Sequence, residues 1–133
     1  MCRNFEVLSI AIDSAYEKAF DYIANGDNLP AWTNQFVKVV GDQASFDTFS
    51  GIVDVTFEVH ASREHGTIDT KLILPDGSSG WAYSRLMRNV EGVIYAFTFV
   101  LPPMDEEALL QAHARQKANI EDELSRLKSI LER

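Results

Sequence analysis

The 133 residues, 46% of them hydrophobic, suit one globular domain that buries its own core. A balance of 12 basic against 20 acidic residues gives a formal net charge of −8, which repels polyanions; with no basic stripe or aromatic–basic platform, it excludes a nucleic-acid partner. The lone cysteine, Cys2, excludes an intrachain disulfide; no apolar run approaches the ~18 residues of a membrane span, and MCRNFEVLSIAID is too short and acidic for a signal peptide, so a cytoplasmic setting is expected.

Residues 5–12, FEVLSIAI, are rich in branched side chains, which predicts a strand. Ser14 and Glu17 have capping-box spacing, and Tyr16, Phe20 and Ile23 then share one helical face. Asn25-Gly26 stops this helix, since both residues tolerate positive φ. Asp27 is the expected cap of a second short helix holding Leu29, Pro30 and Trp32, followed by a strand from about Gln35 to Gly41. Residues 41–51 carry the weakest pattern, with room for a short strand around Ala44–Thr48.

Period-two patterns follow. Val53, Val55, Phe57 and Val59 oppose Asp54, Thr56, Glu58 and His60. After the turn SREHG, Ile68, Thr70, Leu72 and Leu74 oppose Asp69, Lys71 and Ile73. After the turn PDGSSG, Trp81, Tyr83, Arg85 and Met87 alternate with Ala82, Ser84, Leu86 and Arg88; NVEG then leads into VIYAFTFVLPP. Pairing Ser62 with Thr67 sets His60 against Asp69 and Glu58 against Lys71 on a wet face. Pairing Leu74 with Ser79 sets Leu72 against Trp81, Thr70 against Tyr83 and Ile68 against Arg85. A three-residue loop ending in a positive-φ Gly92 sets Asn89 against Val93, Met87 against Tyr95, Arg85 against Phe97 and Tyr83 against Phe99. These registers predict an aromatic inner face that includes Arg85, and a one-residue slip exchanges the faces.

Residues 104–131 read as one long helix capped by Asp105, with Met104 and Leu109 as a hydrophobic staple and Glu106 and Glu107 at the positive end of its dipole. Leu109, His113, Gln116, Ile120, Leu124, Leu127 and Leu131 form its stripe, whose second half either packs wholly on the sheet or also supports a homodimer. No internal repeat, linker or low-complexity segment interrupts the chain, so residues 1–133 read as a single domain.

The order of elements, with IAIDSAYEKAFDYIANGDNLPAW near one end and FTFVLPPMDEEALLQ near the other, resembles the helix-grip fold of the START-like superfamily. That superfamily includes birch-pollen-allergen-like and polyketide cyclase/dehydrase-like proteins. The resemblance covers essentially the whole chain. It implies an α+β fold in which a curved antiparallel sheet of six or seven strands, with two short helices after the first strand, wraps around the long C-terminal helix. It also implies a cavity for a hydrophobic or aromatic ligand. The resemblance supplies no catalytic motif. The sequence shows no phosphate-cradling glycine loop or dinucleotide fingerprint, so no cofactor is expected.

Within that frame Trp32 reads as a gate to the cavity or a plug of the core edge. Phe36, Phe57, Trp81, Tyr83, Tyr95 and Phe97 read as cavity lining or as core filler. Arg85, if turned inward, needs an anionic or carbonyl partner; otherwise it snorkels to water. His113, with Gln116 one turn on, reads as a ligand contact or general acid/base, or as a hydrogen-bonded core histidine. His113 with Arg85 or Tyr83 is the expected constellation if the protein is a cyclase or dehydratase. An interaction module, as monomer or homodimer, is the third alternative. His60, His65 and Asp69 match no metal-ligand spacing, so no metal is expected, and Asp54 and Glu58 read as solvated surface.

Overall fold

The computed structural model describes residues 3–133; Cys2 lies outside them. The elements are β1 (Phe5–Ile12), α1 (Tyr16–Ala24), a 3₁₀ turn (Gly26–Asn28), α2 (Leu29–Trp32), β2 (Phe36–Val40), β3 (Gln43–Asp47), β4 (Ile52–Ser62), β5 (Thr67–Ile73), β6 (Ser79–Asn89), β7 (Gly92–Val100) and α3 (Glu106–Leu131). The strands form one antiparallel seven-stranded sheet in the order β1-β7-β6-β5-β4-β3-β2. This is the expected α+β helix grip, with the long C-terminal helix laid across the sheet.

The helix termini follow their capping chemistry only in part. Asp105 accepts from the Ala108 amide at 2.8 Å and starts α3 as expected. The capping box at Ser14 and Glu17 does not form. Ala15 is the N-cap and makes no side-chain bond, while Glu17 is drawn off to Arg63 at 2.6 Å. Asp27 does not cap α2 either: its N-cap is Asn28, which makes no side-chain capping bond, while Asn25 caps the preceding 3₁₀ turn by accepting the Asp27 amide at 3.1 Å.

The β4–β5 register is the one charge pairing dictates, with Ser62 opposite Thr67, His60 opposite Asp69 and Glu58 opposite Lys71. Both registers of β6 are shifted by one residue from expectation. Leu72 faces Gly80, Thr70 faces Ala82, Ser84 faces Phe97 and Leu86 faces Tyr95. The turns cause the shift. In the β5–β6 loop the Asp76 carboxylate accepts from the Ser78 amide at 2.9 Å, Gly77 adopts φ +88°, and the Leu74 amide already bonds to the Ser78 carbonyl. In the β6–β7 loop Asn89 accepts the Val90 amide through its own side chain and pairs with Gly92, leaving a two-residue connection with no positive φ. Gly92 is required for space instead: a Cβ there would lie 2.3 Å from the Ile12 carbonyl oxygen.

The slip exchanges the faces of β6. Trp81, Tyr83 and Arg85 stand on the outer face, and Gly80, Ala82 and Ser84 on the inner. Small side chains on the inner face leave unfilled volume beneath α3.

Candidate functional site: a cavity under the C-terminal helix

That volume is a cavity of about 330 Å³. Small-molecule sites run from about 300 to 1,000 Å³, so this one is near the lower end. Its ceiling is Gln116, Ile120 and Glu123 of α3, its sheet wall runs from Phe46 through Thr70, Leu72 and Ala82 to Phe97 and Phe99, and Trp32 and Ile23 close the α1–α2 end. Among the expected site residues, Trp32, Phe36, Trp81, Tyr95, Phe97 and Gln116 border it. The Trp81 indole itself stacks on Tyr83 and meets His60 edge-on across the outer face.

The other expected site residues lie elsewhere. Phe57 is buried against Phe36 with ring centroids 5.5 Å apart. Tyr83 is exposed on the outer face, and Arg85 Nε donates to the His65 carbonyl there at 3.3 Å. His113 lies at the β1 edge, with Nε2 3.2 Å from the Phe5 carbonyl and 3.5 Å from Glu6, and its ring beside Phe99. The sheet separates Arg85 and Tyr83 from His113, so these three do not converge.

The carboxyl that does border the cavity is Glu123, which is 4% exposed. Its Oε2 accepts from the Asn34 amide at 2.8 Å and from Asn119 Nδ2 at 3.0 Å. Burial raises its pKa above the ordinary carboxylate range, opposed by these donors, the Gln35 amide and the nearby Arg126 charge. Tyr95 lies beside the Ser84 hydroxyl, and burial pushes its phenol up as well. Sequence reading passes over Glu123 because it follows Glu121 and Asp122 in a run that looks solvated. The signal is its spacing: Glu123 is three residues after Ile120 and four before Leu127, on the stripe itself.

An amide chain extends this site. Gln35 donates to the Asp47 carbonyl and accepts from Gln116 at 3.1 Å and from Asn119 at 3.4 Å. The chain fixes the Gln116 amide so that its Oε1 is buried without a partner, and the Trp32 indole nitrogen is likewise unpartnered. The cavity residues thus include one unmet donor and one unmet acceptor, each costing roughly 1–3 kcal/mol while unpaired. Among the described residues no cluster of three or more potential metal ligands occurs, and no helix is long and apolar enough to cross a membrane.

The sequence matches no family model and no curated protein. Solved structures do resemble it. StfQ, a di-domain aromatase/cyclase from the steffimycin biosynthetic pathway, matches with TM-score 0.70 at 14% identity over 97% of this chain; this chain spans 50% of that one. The Zhui aromatase/cyclase from a Streptomyces species matches with TM-score 0.70 at 10% identity, covering 97% of this chain and 93% of that one. A START superfamily protein from Mycobacterium smegmatis matches with TM-score 0.62 at 9% identity, covering 96% and 97%. At these identities the likeness establishes the fold, which is START-like and shared with polyketide aromatase/cyclases.

Proposed function

We propose that this START-like domain binds a small hydrophobic or aromatic molecule in the cavity between its sheet and α3. The observation that carries the reading is the combination of small inner residues on β6 with aromatic walls around an unfilled cavity. Apolar area supplies affinity in such a site, and a few polar atoms set orientation. The test is native mass spectrometry before and after denaturation, with and without added neutral aromatics, on the wild type and on Ala82→Trp. Wild type is expected to carry or take up a small molecule that denaturation releases. Ala82→Trp, which fills the cavity, is expected to lose it while still unfolding cooperatively. Equal uptake by both proteins overturns the reading.

A second reading, a cyclase or dehydratase, is favoured by Glu123. A buried carboxyl that holds its proton more tightly than usual is suited to general acid work. In this reading Glu123 takes the proton-transfer role expected of His113, and the trio of His113, Arg85 and Tyr83 has no common point of action. A Glu123→Gln variant that binds a β-hydroxy ketone as wild type does, but loses its dehydration, supports this reading. Unchanged turnover removes it.

A further inference from the structure

Among the described residues, the cavity is bordered by no lysine, arginine or histidine. Its ionisable groups are Glu123 and Tyr95. The cations on neighbouring stretches of chain lie elsewhere: Lys117, beside Gln116, is exposed, and Lys71, between Thr70 and Leu72, lies over the Trp81 ring at 6.0 Å on the outer face. Arg126 is held by Asp122 at 2.8 Å, by Asn34 Oδ1 at 2.9 Å and by the Trp32 carbonyl at 3.4 Å. Arg115 lies over the Phe49 ring, and His113 is turned to Phe5 and Glu6. An anionic ligand would therefore give up its water without gaining a cation. A buried charge without a partner is among the costliest arrangements a protein interior holds. An uncharged ligand meets no such penalty against a lining that is mostly apolar and aromatic.

We infer that the cavity selects uncharged aromatic molecules, such as arylamines, and rejects the carboxylate or sulfonate of the same skeleton. This deepens the ligand-binding proposal and rests on it. The overall negative charge also disfavours anions, and salt separates the two causes. Long-range repulsion is screened as the Debye length falls from about 8 Å at 0.15 M to about 3 Å at 1 M, whereas a desolvation penalty inside the fold persists.

The probes are N-phenylnaphthylamine and its sulfonated analogue, anilinonaphthalene sulfonate, titrated by dye fluorescence at low and high salt. The binding counted is the part that Ala82→Trp abolishes, which leaves out dye adsorbed on the outer Trp81–Tyr83 face. The neutral dye is expected to bind at least about tenfold more tightly at both salt concentrations. Gln116→Arg, which places a cation at the cavity border, is expected to shrink or invert that ratio. A sulfonate that binds equally well, or a preference that vanishes at high salt, overturns charge selection and leaves the ligand site standing. If neither dye binds in the cavity, the ligand-site reading falls and the selectivity with it.

Discussion

The two halves of α3 are built from one continuous helix and do opposite things. From Ile120 to Leu131 the helix is gripped: Ile120, Glu123, Leu124, Leu127 and Leu131 are buried, so the stripe is used within the chain. Its end is tied down by polar bonds. Lys18 donates to the Leu131 carbonyl at 2.9 Å, Lys128 to the Ala11 carbonyl at 3.0 Å, and the Asp13 amide to Glu132 at 2.8 Å. From Glu106 to Asn119 no residue is buried, and the segment is held by His113 to β1, Gln116 and Asn119 to Gln35, Asn34 to Asn119, and Arg115 over the Phe49 ring. Where the inner face of the sheet offers large side chains, the helix packs. Where it offers Gly80, Ala82 and Ser84, the helix stands off and leaves the cavity.

The largest effect that follows is an asymmetry in stability. Leu127→Ala, at a position with 0% exposure, is expected to cost about 2–5 kcal/mol. Leu109→Ala, half-buried in the first half, is expected to cost less than about 1.5 kcal/mol. Urea unfolding of both variants measures the difference, and equal losses would break the contrast between the halves.

Glu123 stands at the seam and sharpens the contrast through pH. Its folded pKa is raised above the ordinary 4.5, so the folded chain binds more protons than the unfolded one between the two values. The stability linked to this group is complete below the unfolded value and declines as pH rises to the folded value. Glutamine has no such decline. Relative to wild type, Glu123→Gln is therefore expected to gain stability as pH rises above 4.5, until the folded pKa is passed, and then to hold a constant difference. Urea midpoints from about pH 4 to about pH 8 check this. A gap that is flat throughout would show that Glu123 titrates normally in the fold.

His113→Ala tests the looser half directly. It removes the contacts to the Phe5 carbonyl and Glu6. The expected cost is about 0.5–1.5 kcal/mol, the net worth of one hydrogen bond. Amide exchange is expected to quicken in Glu106–Gln116 and to stay unchanged beyond Ile120. Quickening along the whole helix would mean that the halves open as one.

Sequence reading reaches the gripped half more easily than the open one, for physical reasons. Apolar periodicity reports burial, so Leu124, Leu127 and Leu131 announce themselves, and Asp105 marks the start of the helix by its capping chemistry. The β4–β5 pairing is legible because opposite charges at Glu58 and Lys71 prefer one register. The cavity depends on what is missing from a strand face. Both faces of β6 alternate cleanly, and only the turn geometry at Asp76–Ser78 and Asn89–Gly92 decides which is inside. Large aromatics at Trp81 and Tyr83 argue for the core by propensity, yet they stack on the outer face. Glu123 is hidden for a related reason: a carboxyl in an acidic run looks solvated until its three-and-four spacing to Ile120 and Leu127 is weighed against its charge.

The smallest expected effect tests that register. In the expected pairing Arg85 is opposite Ile68 and Phe97 inside the sheet, where its loss would empty the site of its only cation. In the structure it pairs with Thr67 and Ala96 on the outer face, and its guanidinium meets the His65 carbonyl at 3.3 Å. Arg85→Ala is accordingly expected to change stability by less than about 0.5 kcal/mol and to leave neutral-dye affinity unaltered. Ser84→Leu, one residue away on the inner face, is expected to reduce the same affinity by intruding on the cavity. Adjacent positions with opposite outcomes are what the observed parity of β6 requires. If Arg85→Ala lost binding and Ser84→Leu did not, the strand would have to be turned over, and with it the account of why α3 stands away from the sheet.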